Sequence, residues 1–269
     1  MPELPEVEAV ASRIRQDAQG AQIASVEIQR PRVIAPQTPD HFRQLTEKAR
    51  LTTVERRGKH LILRLSNVNA IHIHLRLSGN VRVVPDGRLL PAATRLTLHL
   101  RDGRAIILED ARALARASAL PAAEIPKLFE DLGPEPLSPE FTPDLLAAEA
   151  ARSRQPAKLF LMNQKHLAGL GNVYAAEALF RAGIHPLKPM NKLSKPRIAA
   201  LHAAIVETLR DAVQSAMLAY SQPGEIGEAE WFPRAVYRRA GEPCPRCGRK
   251  VRRIEQGGRS TYYCPGCQK

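Results

Sequence analysis

Two Cys-x2-Cys pairs, Cys244/Cys247 and Cys264/Cys267, with sixteen residues between them, constrain this chain more than any other feature. Each pair can curl round one side of a tetrahedron, and four thiolates at that spacing are the ligand set of a closed structural zinc site. Such a site has no vacant position for a substrate, so one structural Zn2+ is expected and the metal is not catalytic. Two disulfides are the alternative. The N-terminus, MPELPEVEAV, carries carboxylates where a secretion signal would carry lysines, so a reducing compartment and free thiols are expected. Between the pairs, residues 250–254 and 260–263 read as strands joined by 255–259. That is a hairpin with a glycine tip and Arg259 beside it, an arginine that a rigid, basic hairpin could aim at a phosphate.

The cysteine module is also where the charge is concentrated. The chain of 269 residues has a formal net charge of +13, and its last 38 residues hold ten basic residues against two acidic ones. That balance points to a polyanionic partner. Hydrophobic residues at 44% and charged residues at 25% are ordinary globular composition, which excludes a chain disordered throughout. No apolar run approaches the ~18–20 residues needed to span a bilayer.

Along the chain, residues 4–19 read as a helix, with Val7, Val10, Ala11 and Ile14 at helical spacing. The period then changes to two. Residues 23–28, 51–56, 60–65, 70–75, 81–84, 96–100 and 105–108 read as six or seven strands of a sandwich ending near residue 120. Gly133, Pro134, Pro136, Pro139 and Pro143 mark a linker. Helices are expected at 143–153, 157–163, 172–182 and 195–220, then a loop at 221–230. The class is therefore α+β, divided as 1–132, a linker at 133–143, a helical domain at 144–233 and the cysteine module at 234–269.

Pro2 becomes the N-terminal residue if Met1 is removed. Its secondary amine would have a pKa of about 7.7–8.0, leaving a nucleophilic fraction at neutral pH. Attack on a sugar C1′ gives an iminium with no N–H to lose, a strong electron sink for elimination. Glu3 and Glu6 could act as acid–base partners there, or they could be ordinary helix-start carboxylates. Asn172 reads as the N-cap of a helix starting at Val173, and such a helix N-terminus suits a phosphate. Gly169 and Gly171 ahead of it permit close backbone approach. Arg154 and Lys158 could add phosphate contacts. Lys59 follows Gly58 at the head of a strand.

MPELPEVE, Arg57-Gly58-Lys59, Ala168-Gly169-Leu170-Gly171-Asn172 and the four-cysteine hairpin with Arg259 together resemble the formamidopyrimidine-DNA glycosylase/endonuclease VIII family over essentially the whole chain. The resemblance implies a DNA repair glycosylase with AP lyase activity. It also implies an N-terminal β-sandwich, a helix–two-turn–helix domain and a zinc finger, with DNA held in the cleft between the two halves. Pro2 would be the Schiff-base nucleophile, Glu3 would protonate the opening deoxyribose, and Glu6 would support them. Lys59 would bind phosphate and assist the lyase step, while Asn172 and Arg259 would grip phosphates beside the flipped nucleotide. The wedge that fills the vacated stack would follow His74, where Arg76, Leu77 and Ser78 stand, with Leu77 as its tip. The implied partner is double-stranded DNA with damaged bases or abasic sites, bound by a monomer in the cytoplasm. A catalytically impaired relative that only binds damaged DNA is the alternative.

The sequence departs from the family pattern after the last hairpin strand. The formamidopyrimidine branch usually carries D-P-R-R-F-G; here the stretch is Asp110-Ala111-Arg112-Ala113-Leu114-Ala115. Arg112 remains, but the second arginine and the aromatic ring that would probe the orphan strand are absent. The segment 221–231 also looks shorter than the loop expected to cover an oxidised guanine. Weak opposite-base discrimination is expected, with oxidised pyrimidines and ring-opened purines preferred over 8-oxoguanine opposite cytosine.

Overall fold

The computed structural model describes residues 1–221 and 231–269. Helix α1 (Leu4–Ala18) buries Leu4, Val7, Val10, Ala11 and Ile14 on one face, and Pro5 sits in its first turn, where no N–H is missed. Eight strands then build two antiparallel four-stranded sheets. They are β1 (Ile23–Glu27), β2 (Leu51–Arg57), β3 (His60–Leu65), β4 (Asn69–His74), β5 (Asn80–Val84), β6 (Thr94–Leu100), β7 (Ala105–Glu109) and β8 (Arg116–Pro121). The sheets are ordered β1-β6-β7-β5 and β2-β3-β4-β8. Alternation decides what faces inward. Leu61, Leu63, Ile71 and Ile73 from one sheet meet Leu96, Leu98, Ile106 and Leu108 from the other in a shared core. Each such side chain contributes roughly 1.5–3 kcal/mol by leaving water.

The open sides of the sandwich are covered by helices. Helix α1 packs against edge strands β2 and β5, and α2 (Pro39–Thr46) packs against β1 and β8. Covering both sides in this way leaves less unpaired strand edge exposed. Neither α2 nor β8 is expected from the sequence. Helix α2 is short, with Phe42 as its main apolar anchor, and β8 (RASALP) has no β-branched or aromatic residue. It becomes a strand because β4 offers it a ladder and Ala117 and Ala119 fit beneath.

The rest of the chain is helical: α3 (Pro143–Ala151), α4 (Ala157–Met162), α5 (Asn172–Arg181) and α6 (Lys195–Ser221), each within two residues of expectation. The cysteine module adds β9 (Arg252–Gln256) and β10 (Arg259–Tyr263). Two compact units result. One is Met1–Asp131 with the end of α6 from Ala216 onward, and the other contains Leu132–Ser215 and Trp231–Lys269. The segment read as a linker is docked within the second unit. Gly133 N–H donates to Gln164 O (2.8 Å), and a Cβ on Gly133 would lie 2.7 Å from the backbone of Lys165 and His166. The hairpin is integrated with the helices through Lys269 and Gln268, which bond to the backbone of Gly183, Ile184 and His185. Among the described residues, no helix is long and apolar enough to cross a membrane.

Candidate functional site

In the first unit, Pro2 directly precedes the N-cap of α1, and that N-cap is Glu3, only 1% exposed. Glu6, equally buried, accepts the Glu3 N–H at 2.7 Å, while the Glu3 side chain accepts from the backbone of the third helical residue. Two glutamates thus form a reciprocal capping box, a role normally shared between Ser or Thr and Glu. One turn on, Glu8 receives Arg15 and Arg56, each at 2.8 Å, and Arg56 also donates to Gly58 O at 3.2 Å. Burial alone would raise the Glu8 carboxyl; the bonds and charges of the two arginines outweigh it and hold it below the ordinary range. This relay fastens the β2–β3 turn to the helix that presents Pro2 and Glu3. Gly58 takes φ 56° there, and Lys59, read from the sequence as the head of a strand, is a turn residue only 8% exposed.

Lys59 leads into a stack of imidazoles on the outer face of β3 and β4. His60 Nδ1 and His72 Nε2 share a hydrogen bond at 2.8 Å, His74 meets His60 edge-on, and Phe129 packs edge-on against His60 and His72. Burial, then the neighbouring histidines and the cations Arg76 and Arg57, push His60 down to about 3. Burial and Arg76 take His72 to about 4, and burial with Arg76, His72 and Lys59 takes His74 to about 4. All three rings are therefore neutral near pH 7. His74 Nδ1 accepts the Arg76 N–H at 3.0 Å, which places its own proton on Nε2. Beyond it, Leu77 is 49% exposed rather than packed as a strand-end core leucine, and Arg76 and Arg112 are exposed.

The second unit gathers the remaining candidates round β10. Helix α5 begins one residue earlier than the sequence indicates: Gly171 is its N-cap, with extended backbone, and Asn172 is its first helical residue. Freed from capping, the Asn172 side chain donates to Ser260 O at 3.1 Å, and its buried Oδ1 has no hydrogen-bond partner. Lys158 departs from expectation. It is 0% exposed, and its ammonium donates to Ser260 O (3.0 Å) and Thr261 Oγ1 (2.6 Å). Its charge is directed into the hairpin instead of outward to a phosphate. Arg154 is exposed, near Arg152 and Gln155. The hairpin itself is tighter than the five-residue loop expected, because Arg259 pairs with Gln256 across Gly257-Gly258. Both glycines have positive φ (57° and 71°), as a two-residue type I′ turn requires. Arg259 is exposed beside that turn, held from the next residue by Lys158 and Asn172.

The four cysteine sulfurs lie within 4.8 Å of one another, with Cys244–Cys267 at 3.8 Å and Cys247–Cys264 at 3.4 Å. Zn–S bonds of about 2.3 Å would set tetrahedral sulfurs about 3.8 Å apart, so Cys244, Cys247, Cys264 and Cys267 fit one zinc. Burial and the three other thiols push the Cys267 thiol up to about 12, so a cation is what would stabilise four thiolates here. Gly266 leaves the room they need: a Cβ there would lie 2.9 Å from Cys247 Sγ.

Three segments of the chain match family models. Residues 1–117 match the formamidopyrimidine-DNA glycosylase N-terminal domain, residues 132–221 its H2TH domain, and residues 241–269 the zinc finger found in FPG and IleRS. Two relatives named formamidopyrimidine-DNA glycosylase cover the chain. That of Chloroflexus aurantiacus is 39% identical across 100% of this chain and 98% of its own length. That of Symbiobacterium thermophilum is 40% identical across 100% of this chain and 89% of its own. The chain belongs to the formamidopyrimidine-DNA glycosylase family. Its structure resembles the Lactococcus lactis member solved with DNA containing N7-benzyl-Fapy-dG, at TM-score 0.90 and 30% identity over 100% of both chains. A Lactococcus lactis complex with abasic-site DNA gives the same TM-score, covering 99% of both.

Two residues important to this glycosylase's architecture escape sequence reading. Glu177, on α5, accepts the N–H groups of Ala235, Val236 and Tyr237 at 2.8–3.0 Å and so fixes the approach to the cysteine module. Burial raises its carboxyl despite those bonds. Asp110 organises the loop after β7 in the same fashion. Nothing in the local sequence separates Glu177 from a surface acid, and although Asp110 opens the stretch compared above with D-P-R-R-F-G, nothing there shows that its carboxylate is buried and holds the loop. The segment expected to be a shortened covering loop, residues 221–231, lies almost wholly outside the described residues.

Proposed function

We propose that this glycosylase removes oxidised bases from double-stranded DNA and then cleaves the abasic strand, using the amine of Pro2 once Met1 is gone. The observation that carries this reading is the Glu3–Glu6 capping box. It holds the residue after Pro2 rigidly and keeps a carboxyl beside the nucleophile, so the amine starts from a pre-set position. Pro2 N attacks C1′ of the flipped nucleotide, the base leaves with the glycosidic electron pair, and the proton shed by the amine ends on the departing base. Glu3 gives a proton to the sugar ring oxygen as the C1′–O4′ bond breaks, leaving a cationic iminium on C1′. Loss of a C2′ proton into that sink expels the 3′ phosphate, and a second elimination expels the 5′ phosphate. Glu6 acts through Glu3, and Lys59 supports phosphate binding and elimination. In the second unit, Arg259 and the Gly171–Asn172 helix start grip phosphate, with Arg154 adding charge. In the first, His74, Arg76, Leu77 and Arg112 contact the opened duplex. The protein acts as a monomer in the cytoplasm, on DNA of the nucleoid.

The test is borohydride trapping on lesion-bearing and abasic duplexes, with intact-mass measurement of the same preparation. A covalent adduct on protein lacking Met1, strongly reduced in Pro2→Gly, is the expected result. Undiminished trapping by protein that retains Met1 would remove Pro2 as nucleophile in favour of another amine, and no trapping at all with DNA binding intact would favour a family member that only binds damaged DNA.

A further inference from the structure

Leu77 stands between two fastened neighbours. Ahead of it, Arg76 is held at φ 56° with its N–H on His74 Nδ1. Behind it, Ser78 Oγ donates to Asp110 Oδ1 at 2.6 Å. Asp110 is 1% exposed, and the other bonds of its carboxylate go to the backbone of its own loop: Arg112 N (3.1 Å), Leu114 N (2.6 Å) and Ala115 N (2.7 Å). Within that loop Ala113 sits at φ 50°, a strained conformation for a non-glycine residue that persists only where its surroundings impose it. One carboxylate therefore shapes the 110–115 loop through three bonds and reaches the 75–79 loop through a fourth. The two loops are also in close contact. A Cβ on Gly79 would lie 2.6 Å from Leu75 O and 2.9 Å from Ala115 Cβ.

We propose that Asp110 and Ser78 are positioning residues that join wedge insertion and reading of the orphan strand into one event. The proposal rests on the assignment of Leu77 as the wedge. A wedge on a loose loop would lose conformational freedom when it enters the stack, whereas one tied at both neighbours has already lost it. The link also runs in reverse: an orphan base that displaces residues 111–114 pulls on Ser78 through Asp110 and withdraws Leu77. Asp110 touches no reacting atom; it acts through Ser78 and Leu77.

The experiment uses the full chain with duplexes carrying a ring-opened guanine beside 2-aminopurine, whose fluorescence rises on unstacking, and abasic duplexes for borohydride trapping. Ser78→Ala should slow unstacking and base excision by about tenfold, the usual weight of a hydrogen bond to a charged group. Trapping on abasic DNA, where no base needs extrusion, should fall much less, and Ser78→Thr should restore most of the unstacking rate. Asp110→Asn should show the same pattern, with no further loss when combined with Ser78→Ala. Equal losses in excision and abasic trapping would overturn the proposal, since the bond would then serve general architecture. Normal unstacking in Ser78→Ala, with slowed unstacking in Leu77→Ala, would overturn the clamp while leaving the wedge. Normal unstacking in Leu77→Ala would remove the wedge and the clamp together.

Discussion

Arg259 and Lys158 show how residue type alone can mislead about charge. Both are cations near the hairpin, yet Arg259 is exposed and Lys158 is enclosed with Ser260 and Thr261 as partners. Their substitutions should separate in the salt dependence of DNA binding. The wild-type log–log slope should be about −4 to −6 if five or six phosphates are neutralised. Arg259→Ala should make it shallower by about one. Lys158→Met should lower affinity, because the hairpin loses its tether, while leaving the slope near wild type. Filter-binding titrations from low to physiological salt check both; a slope change on Lys158→Met would mean that it reaches phosphate after all. The place of Arg259 beside the hairpin turn is legible because glycines and cysteines frame it. The burial of Lys158 is not legible, because its partners Ser260 and Thr261 lie far along the chain and periodicity on a six-residue helix cannot show what it faces.

Among the elements, those with strong local patterns were legible. Helix α1, most strands and the cysteine pairs follow from spacing, whereas β8 and α2 exist only because tertiary partners accept them. The β3–β4 face adds a property that no local pattern announces. Its three imidazoles are neutral when folded, but in the unfolded chain they titrate near 6.5. Between about pH 6.5 and 4 the unfolded chain therefore binds protons that the folded one refuses. Stability is full above that window and falls as pH drops through it, at most by about 1.4 kcal/mol per pH unit for each imidazole. Urea midpoints at pH 7.5, 6 and 5 should show the loss, and His72→Leu should lessen it by roughly one ring's share. The hairpin should respond to a different reagent. A chelator strong enough to remove zinc should unfold β9 and β10 locally and weaken DNA binding before the sandwich melts. Metal analysis showing no zinc in active protein would count against this.

For the whole molecule, the proposed lesion preference is argued from the first unit alone. With Ala113 and Leu114 in the loop that Asp110 shapes, discrimination by the opposite base should be weak. Single-turnover excision should be faster for ring-opened purines and oxidised pyrimidines than for 8-oxoguanine opposite cytosine. Ala113→Arg with Leu114→Phe should sharpen opposite-base preference more than it alters trapping. Fastest excision of 8-oxoguanine, and only opposite cytosine, would show that other residues read the orphan strand. The division into units has a consequence in time as well. The sandwich is not encoded by one continuous stretch: Tyr220, at the end of α6, packs against its core, and its carbonyl accepts Arg13. A ribosome therefore releases the first eight strands long before it releases the last piece of their unit. During that interval the nascent sandwich lacks one contact on its core. It becomes complete only after most of the helical segment has been made, yet before the cysteine module that completes the second unit, so the synthesis of the two units is interleaved.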